Sequence, residues 1–188
     1  MEALIKALAA LTTVSSDYEK QLRNVIRKEY YLKNQILIRE GQKIEKVYFI
    51  EEGFAVNYYF KEGQKFTSRF WQKGDFLFTA SDFMNVARST EYIEMGENST
   101  LYSLDYEDLN EINELFEAAK EVERRLVAMR YEFYEERIRD FQTLKGEERY
   151  KKLEAQFPDV IRKSALQNIS SYLGITKETL SRYRAKKH

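Results

Sequence analysis

The stretch Leu166-Gln-Asn-Ile-Ser-Ser-Tyr-Leu-Gly-Ile-Thr-Lys-Glu-Thr-Leu-Ser-Arg-Tyr-Arg184 is the most informative part of this sequence. Ile169 and Leu173 have the spacing of a buried face on a short first helix. Gly174 follows where a residue free to take positive φ ends a helix without steric strain. Thr176 is a suitable cap for a second helix. The pattern therefore predicts a helix-turn-helix over this stretch.

The second predicted helix leaves a polar face whose members suit contacts with DNA. Arg182 has the fork that binds guanine bidentately, and Glu178 can accept from the amino group of cytosine. Lys177 can reach a base or a phosphate. The remaining polar side chains on this unit suit phosphate contacts and are Gln167, Thr176, Thr179 and Ser181. The alternative is an ordinary helical hairpin with a charged outer face.

The charge of the chain supports a polyanionic partner at this end. The whole chain is neutral, with 31 basic and 31 acidic residues. Residues 159–188, however, contain seven basic residues against two acidic ones, which makes this segment +5 and the remainder −5. Lys186 and Lys187 near the end can add phosphate contacts, so the affinity for DNA would fall as salt rises.

Residues 29–104 have the pattern of short strands. Brief β-branched and aromatic runs are separated by glycines, as in Val47-Tyr-Phe-Ile50 and Ala55-Val-Asn-Tyr-Tyr-Phe60. Closely spaced strands with glycine turns predict an antiparallel barrel or sandwich. Lys61-Glu-Gly-Gln64 reads as a hairpin turn, and Ser81–Ser89 breaks the rhythm in a way that suits a short helical turn.

A helical period returns after the strands and predicts one helix from about Asp105 to Phe141. An apolar seam runs along it with spacings of 4, 3, 4, 3 and 4, formed by Leu115, Ala119, Val122, Leu126, Met129 and Phe133. Such a seam is typical of a coiled-coil dimer, and packing against the chain's own barrel is the alternative. Gly146 marks a break, and a further helix is expected from Glu147 to Gln156, ending near Pro158.

The composition argues against several classes of protein. There is no cysteine, and the only histidine is His188, so zinc sites, iron–sulfur clusters and Ser–His or Cys–His catalysis are not expected. We therefore expect neither an enzyme nor a resident metal or cofactor. No apolar run is long enough to cross a bilayer and no signal-peptide pattern begins the chain, which predicts a cytoplasmic protein without a membrane partner.

Two separate motifs resemble the Crp/Fnr superfamily, the cyclic-AMP receptor protein-like bacterial transcription regulators. Ile169–Arg182 is similar to the family's recognition motif. The segments Ile38-Arg-Glu-Gly41, Val47-Tyr-Phe-Ile-Glu-Glu-Gly53 and Lys73-Gly-Asp-Phe76 are similar to its cyclic-nucleotide-binding β-roll. The resemblance implies an α+β fold with an N-terminal antiparallel β-roll of the jelly-roll type, a long dimerisation helix and a C-terminal helix-turn-helix.

The resemblance also implies a domain division and a set of partners. Residues 1–142 would form the effector domain, including a dimerisation helix at about 105–141. Residues 143–188 would form a minimal, winged-helix-like DNA-binding domain. The expected protein is a homodimeric, sequence-specific DNA-binding regulator, with double-stranded DNA, its own second copy and RNA polymerase as partners. The alternative is a ligand-binding or protein-interaction module whose helix-turn-helix no longer reads DNA.

The expected effector pocket departs from the family's pattern. The resemblance assigns it to Gly74, Asp75, Phe76, Arg88, Ser89 and Thr90, but the family's Gly-Glu pair for the ribose is missing. An unpaired buried anion is unfavourable by several kcal/mol, so cyclic AMP is not the expected effector. An unidentified small effector remains, or else a pocket filled by the chain's own aromatic side chains, for which the candidates are Trp71, Phe76, Phe78, Phe83 and Tyr92.

Overall fold

The computed structural model describes residues 1–78 and 88–185. The helices in these ranges are α1 Glu2–Ala9, α2 Ser16–Val25, α3 Tyr106–Leu115, α4 Glu117–Thr143, α5 Gly146–Gln156, α6 Pro158–Lys163, α7 Leu166–Leu173 and α8 Lys177–Ala185. The strands are β1 Arg27–Tyr31, β2 Ile36–Ile38, β3 Lys46–Glu52, β4 Phe54–Lys61, β5 Gln64–Gln72, β6 Phe76–Leu77, β7 Tyr92–Met95 and β8 Ser99–Asp105. The expectations for residues 81–87, for Phe83 and for Lys186 and Lys187 lie outside the described residues.

The strands form two antiparallel four-stranded sheets, β1-β8-β3-β6 and β2-β7-β4-β5. Ile50 and Leu101 from one sheet pack against Trp71 and Ile93 from the other, and all four are buried. Gly53 joins β3 to β4 at φ +95°, and a Cβ there would meet the Ser99 side chain, so only glycine fits this turn. The predicted antiparallel β-sheet core is confirmed.

The helical segment after β8 differs from the prediction of one helix from Asp105 to Phe141. Phe116 has extended backbone, φ −130° and ψ 112°, and separates α3 from α4. Its ring stacks on Tyr18 of α2 at 5.2 Å between centroids. The prediction of an unbroken helix was wrong because one extended residue gains this packing without disturbing the apolar spacing on either side.

The C-terminal helices begin and end at residues with recognisable local chemistry. α5 spans Gly146–Gln156, one residue longer than the predicted Glu147–Gln156; it ends near Pro158 as predicted, and Pro158 begins the short helix α6. Proline suits the first turn of a helix because its missing N–H would be unpaired there anyway. α7 ends at Gly174, φ +64°, and the Thr179 N–H donates to Thr176 Oγ1 at 3.2 Å at the start of α8. The predicted turn and cap are confirmed.

The C-terminal helices share a core with the sheet β2-β7-β4-β5. Phe70 of β5 packs on Tyr172 of α7, with ring centroids 5.1 Å apart, and on Phe157. The Ser171 hydroxyl accepts from the Thr67 N–H at 2.9 Å. Apolar packing thus continues across the predicted boundary at residues 142 and 143, which itself stays a prediction. No helix of the described chain is long and apolar enough to span a membrane.

Candidate nucleic-acid interface and effector pocket

The pair α7 and α8 buries its apolar residues and exposes most of its polar ones. Ile169, Leu173 and Leu180 lie in the core shared with the roll. The side chains exposed on the opposite side are Gln167, Thr176, Lys177, Glu178, Ser181 and Arg182, while Thr179 is half-buried. The structure therefore leaves six of the seven predicted contact residues exposed.

Hydrogen bonds organise part of this face. Lys177 Nζ donates to Gln167 Oε1 at 3.3 Å, which links the two helices. The hydroxyls of Thr176 and Thr179 lie 3.2 Å apart. Hydrogen bonds from its own backbone N–H and from the Thr176 side chain lower the pKa of Glu178, so this carboxylate is ionised at neutral pH. The start of α8 is thus capped by Thr176 and carries charges of both signs.

The arginines of α8 differ in what they contact. Arg184 donates to the Ile161 carbonyl at 2.7 Å and so stabilises the unit internally. Arg182 is exposed and forms no ion pair with any residue in 1–78 or 88–185. Its guanidinium is available to a ligand outside the chain.

Two arginines from other helices hold the end of α7, and sequence reasoning missed both. Arg137 of α4 donates to the Tyr172 carbonyl at 2.8 Å. Arg149 of α5 donates to the Leu173 carbonyl at 3.0 Å. These groups satisfy carbonyls that a helix end leaves unpaired. Nothing local in the sequence indicates contacts between residues so far apart.

The residues expected in the effector pocket are held by different parts of the roll. Gly74 donates its N–H to the Ile50 carbonyl, and Asp75 accepts from the Gln72 N–H at 2.8 Å. Burial raises the pKa of Asp75 above its ordinary value. The Phe76 ring packs on Phe49. These three residues therefore form and stabilise the turn between β5 and β6.

The second group packs against the turn at residues 41–42. Arg88 Nη1 donates to the Gly41 carbonyl at 2.8 Å, and the Ser89 backbone pairs with Gly41 and Gln42. Ser89 is buried, its hydroxyl donating to the Glu91 carbonyl at 2.7 Å, while Thr90 is exposed. One N–H group of the exposed Arg88 guanidinium thus already has an acceptor within the chain.

An apolar cavity of about 80 Å³ lies beside the roll, between α1, α2, α4 and strands β3 and β8. Its walls include Leu4, Leu22, Phe76, Tyr102, Val122 and Leu126. This lining suits an apolar group and offers little to a phosphate.

Comparisons with known proteins bear on both regions. Residues 28–114 match the family model described as "Cyclic nucleotide-binding domain". FixK2 from Bradyrhizobium japonicum has a similar structure, with a TM-score of 0.75 and 17% identity over 86% of this chain and 84% of that one. A protein from Eubacterium rectale, described as a transcriptional regulator of the crp/fnr family, has a TM-score of 0.72 and 16% identity over 90% and 81%.

The catabolite activator protein of Thermus thermophilus is also similar, with a TM-score of 0.60 and 15% identity over 96% of this chain and 85% of that one. The comparison with curated proteins gave no match. At these identities the similar structures establish the fold. Residues 28–114 match the cyclic nucleotide-binding domain and the chain has the fold of solved Crp/Fnr regulators, which confirms the resemblance at the level of the fold.

Proposed function

We propose that this chain is a homodimeric, sequence-specific DNA-binding transcription regulator and that α7 and α8 form its helix-turn-helix. The observation that carries the proposal is the division of faces on these two helices. Ile169, Leu173 and Leu180 are buried, whereas Lys177 and Arg182 are exposed. A short helix pair fixed from behind, with donors and acceptors in front, is the arrangement that enters a major groove.

The exposed residues divide by chemistry into base readers and phosphate contacts. Arg182 would bind guanine, Glu178 would accept from cytosine and Lys177 would reach a base or a phosphate. Phosphate contacts would come from Gln167, Thr176, Thr179 and Ser181. The alternative is a module that no longer reads DNA. It is less favoured because Arg182 is exposed and has no ion-pairing partner among the described residues, as expected of a side chain that contacts DNA.

The dimer in this proposal rests on an exposed apolar stripe along α4, formed by Val127, Tyr131, Ile138 and Phe141. Residues at these spacings lie on one side of a helix, as in a helix pair with a/d packing. A two-fold axis along α4 would present two copies of α8 to related half-sites.

The β-roll would supply regulation, either by binding an unidentified small effector or by acting without one. Cyclic AMP is not the proposed effector because the Gly-Glu pair is missing and Arg88 already contacts Gly41. We also propose RNA polymerase as a partner and the cytoplasm as the location. No catalytic function is proposed.

DNA reading is tested by selecting binding sequences from a random duplex pool with the wild-type chain and then titrating the enriched duplex. Arg182→Ala should weaken this binding about 5- to 150-fold, the equivalent of one lost bidentate contact. Arg125→Ala is the matched control, because it removes the same charge from an exposed position on α4, where Arg125 pairs with Glu121. Absence of any enriched sequence, or equal binding by both variants, would refute the proposal.

A further inference from the structure

Arg149 of α5 donates to the ends of two different helices. Its Nη1 donates at 2.6 Å to the carbonyl of Leu144, the residue that follows α4. Its Nη2 and Nε donate at 3.0 and 3.2 Å to the carbonyl of Leu173, the last residue of α7. Carbonyls at a helix end have no partner within the helix, and the helix dipole favours a cation there. One guanidinium therefore joins α4 to the first helix of the proposed helix-turn-helix.

Arg137 of α4 makes a second connection to the same end of α7. It donates to the Tyr172 carbonyl at 2.8 Å, and its guanidinium carbon lies 3.8 Å from the centre of the Tyr172 ring. The guanidinium carbons of Arg137 and Arg149 also lie 4.9 and 4.6 Å from the centre of the Phe141 ring. Both arginines are thus held against one ring of α4 by cation–π contacts.

Phe141 in turn contacts the turn between α7 and α8. A Cβ on Gly174 would lie 2.8 Å from Cε1 of Phe141, so the ring packs directly on the backbone of this turn. The start of α5 is equally close to the turn, since a Cβ on Gly146 would lie 2.9 Å from Cγ2 of Ile175. Packing this close resists any swing of the turn relative to α4. We call Arg137, Phe141 and Arg149 the α4–α7 joint.

The helices on both sides of the α4–α7 joint are also fixed to their neighbours. Lys152 of α5 forms ion pairs with Asp140 and Glu136 of α4, which limits rotation of α5 about the short link at residues 144–145. Leu180 of α8 is buried in the same core as Ile169 and Leu173 of α7, so α8 follows α7. The orientation of α8 relative to α4 is therefore set at the joint.

DNA sets a narrow tolerance for this orientation in a two-fold dimer. The half-sites of a helix-turn-helix dimer lie about 34–36 Å apart, one turn of about 10–10.5 base pairs, or a multiple of this. One added base pair therefore moves a half-site by about 3.4 Å along the duplex and rotates it by about 34°. A joint stiffer than this tolerance lets both copies of α8 enter the groove at one separation and not at the next.

We infer that Arg137 and Arg149 are positioning residues that hold α8 at a fixed angle to α4, so that the dimer reads two half-sites at a single separation. Neither arginine contacts DNA; both act through the end of α7. The part that concerns half-sites rests on the proposed function, whereas the fixed angle does not. The DNA partner is thereby specified further, as an inverted repeat whose spacer has one length.

The fixed angle can be measured without DNA. The chain has no cysteine, so Glu132→Cys on α4 and Ser181→Cys on α8, both at exposed positions, can be spin-labelled selectively. Double electron–electron resonance, with unlabelled chain in excess, gives the distance distribution within one subunit. Adding Arg149→Ala should broaden this distribution by about 3 Å or more, the size of one base-pair step. Adding Arg139→Ala, which removes a charge from an exposed position on α4, should leave the width unchanged.

The single separation is measured on the duplex that the wild-type chain enriches from a random pool. For wild type, one base pair inserted or removed between the half-sites should weaken binding at least about tenfold, the equivalent of a lost bidentate base contact. For Arg149→Ala the same change should weaken binding less than about threefold, because a looser joint reaches both spacings. A variant that is merely less stable would lose affinity for every spacing alike, and Arg139→Ala should discriminate as wild type does.

Two further variants protect the test against misfolding of Arg149→Ala. Arg149→Lys keeps the charge but has no fork to reach both carbonyls, and Arg137→Ala removes the second connection. Both should lose discrimination between spacings in the same direction.

Equal distance distributions for Arg149→Ala and Arg139→Ala would overturn the fixed angle, whether or not the chain binds DNA. Equal tolerance of wild type and Arg149→Ala for altered spacers would overturn the role in spacing. If wild type enriches no duplex, the proposed function fails and the spacing role fails with it, while the resonance measurement still decides whether Arg149 holds α8. Loss of binding in Arg182→Ala with unchanged spacing behaviour of Arg149→Ala would support the proposed function and reject the joint.

Discussion

The two halves of α4 have the same kind of apolar repeat and opposite surroundings. In the first half, Ala119 and Val122 are buried against α1, α2 and the β-roll. In the second half, Tyr131 and Ile138 are 64% and 59% exposed. At about 100° per residue, Ile138 lies about 160° around the helix from Val122. One helix therefore carries an inner face packed on its own domain and an apolar outer face that is exposed.

This comparison corrects the interpretation of the predicted seam from Leu115 to Phe133. Ala119 and Val122 of this seam pack within the chain, as the alternative held, and Val122 is only 7% exposed. Phe133 stacks on Arg69, and Leu115 and Met129 are exposed. The stripe proposed for the dimer starts at Val127 and lies on a different side of the helix.

The largest effect is expected from Val122→Asp. A carboxylate at this buried position loses its water and gains no partner, so the free energy of unfolding should fall by about 3 to 5 kcal/mol. Urea denaturation measures the loss. Met129→Asp is the control on the exposed side and should change stability by no more than about 0.5 kcal/mol. Equal losses in the two variants would contradict the assignment of the inner face.

A smaller loss is expected from Arg137→Ala, which cuts the link between α4 and α7. Arg137 donates to the Tyr172 carbonyl, and its guanidinium lies 3.8 Å from the centre of the Tyr172 ring. Losing both contacts should reduce stability by about 1 to 2 kcal/mol and speed hydrogen exchange of the α7 amides. The neighbouring exposed Arg139→Ala should leave exchange unchanged, and identical behaviour of the two variants would show that this link stabilises nothing.

Ile138→Asp tests the outer face and should leave the fold of the subunit intact, with a change of no more than about 0.5 kcal/mol. In a symmetric dimer the new carboxylates would lie near each other and repel. The dissociation constant of the dimer, measured by analytical ultracentrifugation, should therefore rise at least about tenfold. Ala128→Asp adds the same charge off the stripe and should not. A wild-type chain that is monomeric, or a variant that dimerises normally, would reject the stripe as the dimer surface.

The smallest change in stability is expected from Lys152→Gln. Lys152 of α5 forms ion pairs with α4 at the surface. Lys152 Nζ lies 2.7 Å from both Asp140 and Glu136. Burial lowers the pKa of Lys152, but the two ion pairs outweigh burial and raise it. Their contribution to the free energy of unfolding is therefore fully present at neutral pH and is lost only when the pH rises through the raised pKa. Because the pairs are solvated, the loss should be about 0.2 to 1 kcal/mol and should shrink in high salt. Lys151→Gln is the control, and a larger effect there would contradict the ranking.

The features that depend on neighbouring residues could be predicted from the amino-acid sequence. The turn at Gly174, the cap at Thr176, the glycine-separated antiparallel strands and the outward polar face of α8 all follow from local conformational preference and spacing. The resemblance to Crp/Fnr regulators also came from short motifs. These features were predictable because each depends on residues within one or two turns of each other.

Which partner each apolar or charged group contacts depends instead on how distant segments pack in the folded chain. A heptad pattern requires that one face be buried, but it does not say whether that face meets the chain's own roll or a second copy. The break at Phe116 depends on Tyr18, the end of α7 depends on Arg137, and the Arg69 guanidinium lies against the rings of Trp71 and Phe133. Each of these contacts except that between Arg69 and Trp71 joins residues far apart in sequence, and the packing that creates them exists only once the chain is folded.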